Sequence, residues 1–166
     1  MKRIILATTC AAAVLALTGA PAHAAKVKPD ALIKKAGGKF KGNNIYDAQA
    51  EGQRVCVVGG NQYRFVFKVQ NDGTRVRRFI ITSGGYGGTA SSSFSISFEG
   101  QDITSAVING EIPKTNRVAP GEKSKPVIID AVLSDADQFG TLFIGAGTQE
   151  GSDMTMASWR NSGECE

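Results

Sequence analysis

Gln62-Tyr63-Arg64-Phe65-Val66-Phe67-Lys68-Val69-Gln70-Asn71-Asp72-Gly73-Thr74 is the stretch that decides the fold. Tyr63, Phe65, Phe67 and Val69 alternate with Arg64, Val66, Lys68 and Gln70, a two-residue period that places the aromatic side chains on one buried face of a strand. Asn71-Asp72-Gly73-Thr74 follows as a turn signal, because Asp-Gly readily supplies positive backbone dihedrals. The reading predicts a hairpin, with Arg75–Thr82 as the return strand and Phe79 and Ile81 as its inward pair.

Working outward, short β-branched and aromatic runs recur between turn residues from Asn43 onward. Arg54–Val58 reads as a strand ending at Gly59-Gly60. Ser83–Ser93 is glycine and serine around Tyr86, and reads as an exposed loop. Phe94, Ile96 and Phe98 alternate with serines, and Val127, Ile129, Ala131 and Leu133 share a face. Ser134–Gln138 is a polar turn, and Thr141–Ala146 and Met154–Trp159 close the series. Strands at this spacing, with no long helical pattern between them, predict an all-β antiparallel sandwich of about seven strands.

The N-terminus has a different texture. Lys2 and Arg3 precede an apolar centre from Ile4 to Leu17, and Ala22-His23-Ala24 stands before Ala25. That is the layout of a secretory signal peptide with a small-x-small cleavage site over residues 1–24. Its apolar centre is short for a bilayer span and is broken by Gly19 and Pro21. Residues 25–42 carry Lys26, Lys28, Lys34, Lys35, Lys39 and Lys41 with few large apolar residues, and read as a flexible basic lead-in. Its lysines could touch an anionic surface such as lipid headgroups or wall polymers, but a solvated tail is the favoured reading. The folded domain is expected over residues 43–166, exported to a periplasm or beyond it, with no transmembrane segment in the mature chain.

Cleavage would remove His23, the only histidine, and Cys10, leaving Cys56 and Cys165 as the only thiols. In an oxidising compartment two cysteines are expected to pair, the alternative being two separately buried thiols. Without imidazole, histidine triads, Cys–His pairs and imidazole metal sites are excluded. The acidic residues are scattered over turns with no cleft to separate their pKa values, so no catalytic residue and no cofactor is expected. Lys2 and Arg3 belong to the 19 Lys and Arg residues set against 15 Asp and Glu, so the net charge falls from +4 to +2 on cleavage. That is too small to argue for a nucleic-acid partner.

Three weaker constellations remain. Arg64, Lys68, Arg75, Arg77 and Arg78, with Tyr86 as a stacking aromatic, form a candidate patch for an acidic polysaccharide or other polyanion, against the reading of a solvated face. Met154 and Met156, two apart on a strand, are candidate thioether ligands for Cu(I) in a periplasmic carrier, against core packing. Asp135 and Asp137 echo the opening of a calcium loop, but Phe139 and Ala146 stand where such a loop needs oxygen ligands.

Gln70-Asn71-Asp72-Gly73-Thr74, then Gly100–Val107, then Val118-Ala119-Pro120-Gly121-Glu122 before an aliphatic strand, occur in an order that resembles the immunoglobulin-like modules of bacterial secreted and surface proteins. The resemblance runs from about Gly42 to Arg160 and rests on turn motifs. It implies an immunoglobulin-like sandwich acting as a spacer, adhesion unit or accessory module, with an envelope or extracellular protein or glycan as partner. It carries no catalytic residues. In such a sandwich the first and last strands often run side by side in parallel, which would bring Cys56, at the end of an early strand, near Cys165, just past the last.

Overall fold

The computed structural model describes residues 27–45 and 53–165. The expected signal peptide lies outside them. Nine strands and one short helix follow in order: β1 (Pro29–Lys35), β2 (Arg54–Val58), β3 (Gln62–Asn71), β4 (Ile80–Gly88), β5 (Ser92–Phe98), β6 (Gln101–Asp102), α1 (Thr104–Ile108), β7 (Val127–Leu133), β8 (Phe139–Thr148) and β9 (Gly151–Arg160). They form a five-stranded sheet, β1-β3-β7-β5-β6, and a four-stranded sheet, β2-β9-β8-β4. All pairs are antiparallel except β2 with β9.

The two-residue period holds where it was read. Tyr63, Phe65, Phe67 and Val69 are buried on one face of β3, and Val127, Ile129, Ala131 and Leu133 on the same face of β7 beside it. Opposite them the second sheet contributes Ile81, Leu142, Ile144, Ala157 and Trp159 to a single core. Phe65 and Trp159 meet across the layers with ring centroids 6.0 Å apart. Burial of these faces is the main favourable term, at about 1.5–3 kcal/mol for each large apolar side chain.

Three expectations are corrected. The first is the basic lead-in, which contains β1, a strand paired along its whole length with β3 from Pro29↔Asn71 to Lys35↔Phe65. Pro29 through Ile33 are buried without alternation, so the strand showed no period to find. Ala31 and Ile33 enter the core, while the edge of β1 that β3 leaves free is met by the chain returning through Lys41 and Gly42. Ile33 and Lys41 exchange backbone hydrogen bonds of 3.0 and 2.7 Å, and Gly42 (φ +101°) lies so close to the Ala31 carbonyl that a Cβ would collide with it.

The second correction concerns the hairpin. Both edges of β3 are taken, by β1 and β7, and β4 lies in the other sheet. The turn is real but leads into a crossover. Buried Asn71 accepts from the Gly73 amide at 3.0 Å and donates to the carbonyls of Arg75 (2.8 Å) and Val118 (2.9 Å). An Asx turn of this kind replaces the ladder with side-chain bonds and turns the chain away from its own strand. Arg77 then bridges Val118, not β3.

The third correction concerns Ser83–Ser93, which reads as a loop but holds the end of β4 and the start of β5. Its glycines give no side-chain pattern; the register with β8, Tyr86↔Leu142 and Gly88↔Gly140 among others, makes it a strand. A bulge between Ser83 and Gly85, with φ +133° at Gly85, bends it. This stretch lengthens β4 and β5, while β1 and the two-residue β6 raise the count above the seven strands expected.

Candidate functional site

The parallel β2–β9 pair aligns Cys56 with Ser158 and Val58 with Arg160. Beyond Arg160 the chain folds back, and Cys165 bonds Cys56 with Cα atoms 6.0 Å apart across a sequence separation of 109. Cys56 lies in the middle of β2 rather than at its end.

The residues of the arginine-centred candidate patch fall in four places. Arg64 stands directly across from Asp130 on β7, and its Nε and Nη2 donate to the two carboxylate oxygens at 2.6 and 2.9 Å. That fork neutralises it as a free cation. Arg77 and Arg78 join Arg117 and Val76 around a depression of about 500 Å³ near Thr148 on the crossover, with Arg75 exposed beside them. Tyr86, 63 % exposed on β4, meets Phe94 edge-on at 5.5 Å, and Phe94 meets Trp159 at 6.1 Å.

Lys68 points elsewhere, to a cluster that sequence reasoning did not assemble. The Nζ atoms of Lys34, Lys68 and Lys123 stand 4.9, 5.8 and 5.9 Å from the ring centroid of half-buried Phe40. Beside them, Lys35, Lys39 and Lys41 line a cavity of about 250 Å³ with Val55 and Cys56. The signal was present in the lysine count of residues 25–42. What was missing was β1, which fixes Lys34 next to β3.

Met154 and Met156 do share the outer face of β9, both half-buried, opposite Asp153, Thr155 and Ala157. Met154 packs over Gly84. Asp135 accepts a hydrogen bond from Ser91 and Asp137 one of 2.7 Å from Ser162. Among the described residues no cluster of three or more His, Cys, Asp or Glu side chains is placed to hold a metal ion.

A buried acidic pair was not foreseen. Asp153 accepts from the amides of Ala31 (2.7 Å) and Met154 (2.9 Å) and from Gln53 Nε2 (3.1 Å). Asp30 accepts from the Asn44 amide at 3.0 Å. Burial pushes the Asp30 carboxyl up from 3.8 to about 6; the Asn44 bond opposes this, the charges of Asp72 and Asp153 add to it, and Lys28 offsets a little. Burial also raises Asp153, against its hydrogen bonds. Native Asp30 keeps its proton up to about pH 6, whereas the unfolded chain gives it up near the ordinary carboxylate value. Raising pH between those values therefore costs stability, on the order of 1–3 kcal/mol in full, and the loss persists above pH 6. In Asp30→Asn this decline is expected to shrink. Urea titrations of both proteins at pH 4.5 and 7.5 check it, and parallel losses in the two would refute it.

The fold defines the class: an all-β domain of two facing sheets, with a disulfide that ties β2 to the tail after β9 within one of them. No family model and no curated protein matches the chain. Among solved structures, the N-terminal domain of PorA is similar over 81% of this chain and 99% of its own, at 12% identity and a TM-score of 0.50. A FixG-related protein from Vibrio parahaemolyticus is similar over 81% and 96%, at 10% identity and a TM-score of 0.40. The SrpA adhesin R347E mutant from Streptococcus sanguinis is similar over 82% and 60%, at 11% identity and a TM-score of 0.35. At these identities the likeness to the PorA domain is one of fold alone. Among the described residues, no helix is long and apolar enough to cross a membrane.

Proposed function

We propose that the protein is an exported, non-catalytic interaction module of the bacterial envelope or exterior, built on an immunoglobulin-like sandwich. The observation that carries the reading is the Cys56–Cys165 bridge, since a structural disulfide belongs to an oxidising compartment. The parallel closure of β2 on β9 and the order of the turn motifs support the immunoglobulin-like topology.

The test is acid-quenching of producing cells followed by thiol mass-tagging of the protein. The expected product begins at Ala25, with neither Cys56 nor Cys165 taking up label until reduced. An uncleaved chain with two free thiols would overturn export. Hydrolytic turnover of ester, glycoside or phosphate substrates, if abolished by substituting one carboxylate, would overturn the non-catalytic part.

A further inference from the structure

The charge balance of the chain is nearly even, yet its lysines are not evenly spread. β1 and the return through residues 36–41 carry four of them, and Lys68 and Lys123 join one of these four, Lys34, at Phe40. Lys34, Lys68 and Lys123 surround the Phe40 ring within 5.9 Å of its centroid, and Lys35, Lys39 and Lys41 line the neighbouring cavity. The ion pairs found among the described residues, Arg64–Asp130 and Lys125–Glu99, engage none of these six.

Ammonium groups are drawn to an aromatic face by about 0.5–1 kcal/mol each at an exposed site, and their stems cover the ring. That explains why each lysine lies where it does. It leaves three mutually repelling charges around one ring with no ion pair to a carboxylate among the described residues, an arrangement that gains most from an external anion. Lysine acts toward anions as a point charge, without the planar fork that arginine offers. The surface should therefore respond to charge density along a polymer, not to the geometry of one acidic group. The arginines of the crossover form a separate depression, and Arg64 is already paired.

From this we infer that the outer face of β1 and β3, centred on Lys34, Lys68, Lys123 and Phe40, is the binding surface for an acidic polysaccharide. The inference rests on the interaction-module reading and names its partner. The module is held to the polymer by counterion release.

The test uses heparin as the acidic polysaccharide, dextran as the uncharged control and phosphatidylglycerol vesicles as the lipid arm. Binding to heparin but not dextran is expected, falling steeply with salt. In Lys34→Gln/Lys68→Gln/Lys123→Gln, affinity at low salt is expected to drop about 10–100-fold. The slope of log K against log salt should flatten by roughly 2, at about 0.7 per lost contact as for other single-stranded polyanions. The control Arg77→Gln/Arg78→Gln should stay within about twofold of the parent. The single variants Lys34→Gln, Lys68→Gln and Lys123→Gln serve if the triple one does not fold, each removing about a third of that slope change.

Absence of heparin binding, an unaffected triple variant, or loss confined to the arginine control overturns the assignment. Binding to vesicles alone overturns it in favour of a membrane surface. Each of those outcomes leaves the exported module of the preceding section standing, since that depends on the thiol state and leader cleavage.

Discussion

Cys56→Ser/Cys165→Ser is expected to unfold about 10–20 °C below the parent, a loss of ~4–5 kcal/mol. The number follows from chain entropy: the bridge spans 109 residues, and releasing a loop of that size gives the unfolded chain roughly 16 cal/mol/K. At about 3–4 °C per kcal/mol for a domain of this size, the melting shift follows. The location of the bridge sharpens the expectation. Among the described residues β2 is an edge strand whose only ladder partner is β9, and beyond the strand the Gly59 amide donates to the Arg160 carbonyl at 3.0 Å. With the bridge gone, β2 and the tail after Arg160 should open before the rest. Hydrogen exchange at Val55, Cys56 and Val57 is then expected to accelerate beyond the global change, and protease should trim residues 161–165. A stability loss below about 1 kcal/mol would show that the bridge does not constrain the unfolded chain as argued.

The cysteine pair was legible because it needed only counting and a compartment. The strand faces were legible for a different reason: β3 and β7 each expose one side, so burial writes a two-residue period into the sequence. β1 is buried on both sides at Asp30, Ala31, Leu32 and Ile33, and the period vanishes. Its lysines lie at and after its end, and they dominated the composition of residues 25–42. The hairpin failed because Asp72-Gly73 specifies a turn and says nothing about the sheet the next strand joins. Asn71, which decides it, bonds to Val118, 47 positions away. The lysine cluster shows the same limit, since Lys34, Lys68 and Lys123 meet only once β1 pairs with β3 and Lys123 bridges Gln70. Residue types were readable; their convergence on Phe40 was not.

The second large effect is expected at Asp153, which joins the two sheets. Its side chain leaves the inner face of β9 and accepts the Ala31 amide at 2.7 Å, on the edge of β1 that β3 does not occupy. It also holds Gln53, the residue before β2, at 3.1 Å. Two opposing effects bear on Asp153→Ala. Removing a buried carboxyl whose pKa is raised by burial relieves a desolvation cost. Against it stand the Ala31, Met154 and Gln53 donors, left unpaired at about 1–3 kcal/mol for each that stays buried. Three donors against one partly compensated acid give a net loss of ~3–5 kcal/mol. Asp153→Asn should fall between, because its amide oxygen still accepts from Ala31 while its NH₂ faces donors at Met154 and Gln53. Denaturant titration at pH 6 should rank parent, Asn and Ala in that order, and the Ala31 amide should exchange fastest in the Ala variant. An Ala variant as stable as the parent would mean that the desolvation term wins, and that β1 is held by its ladder with β3 and by its buried face alone.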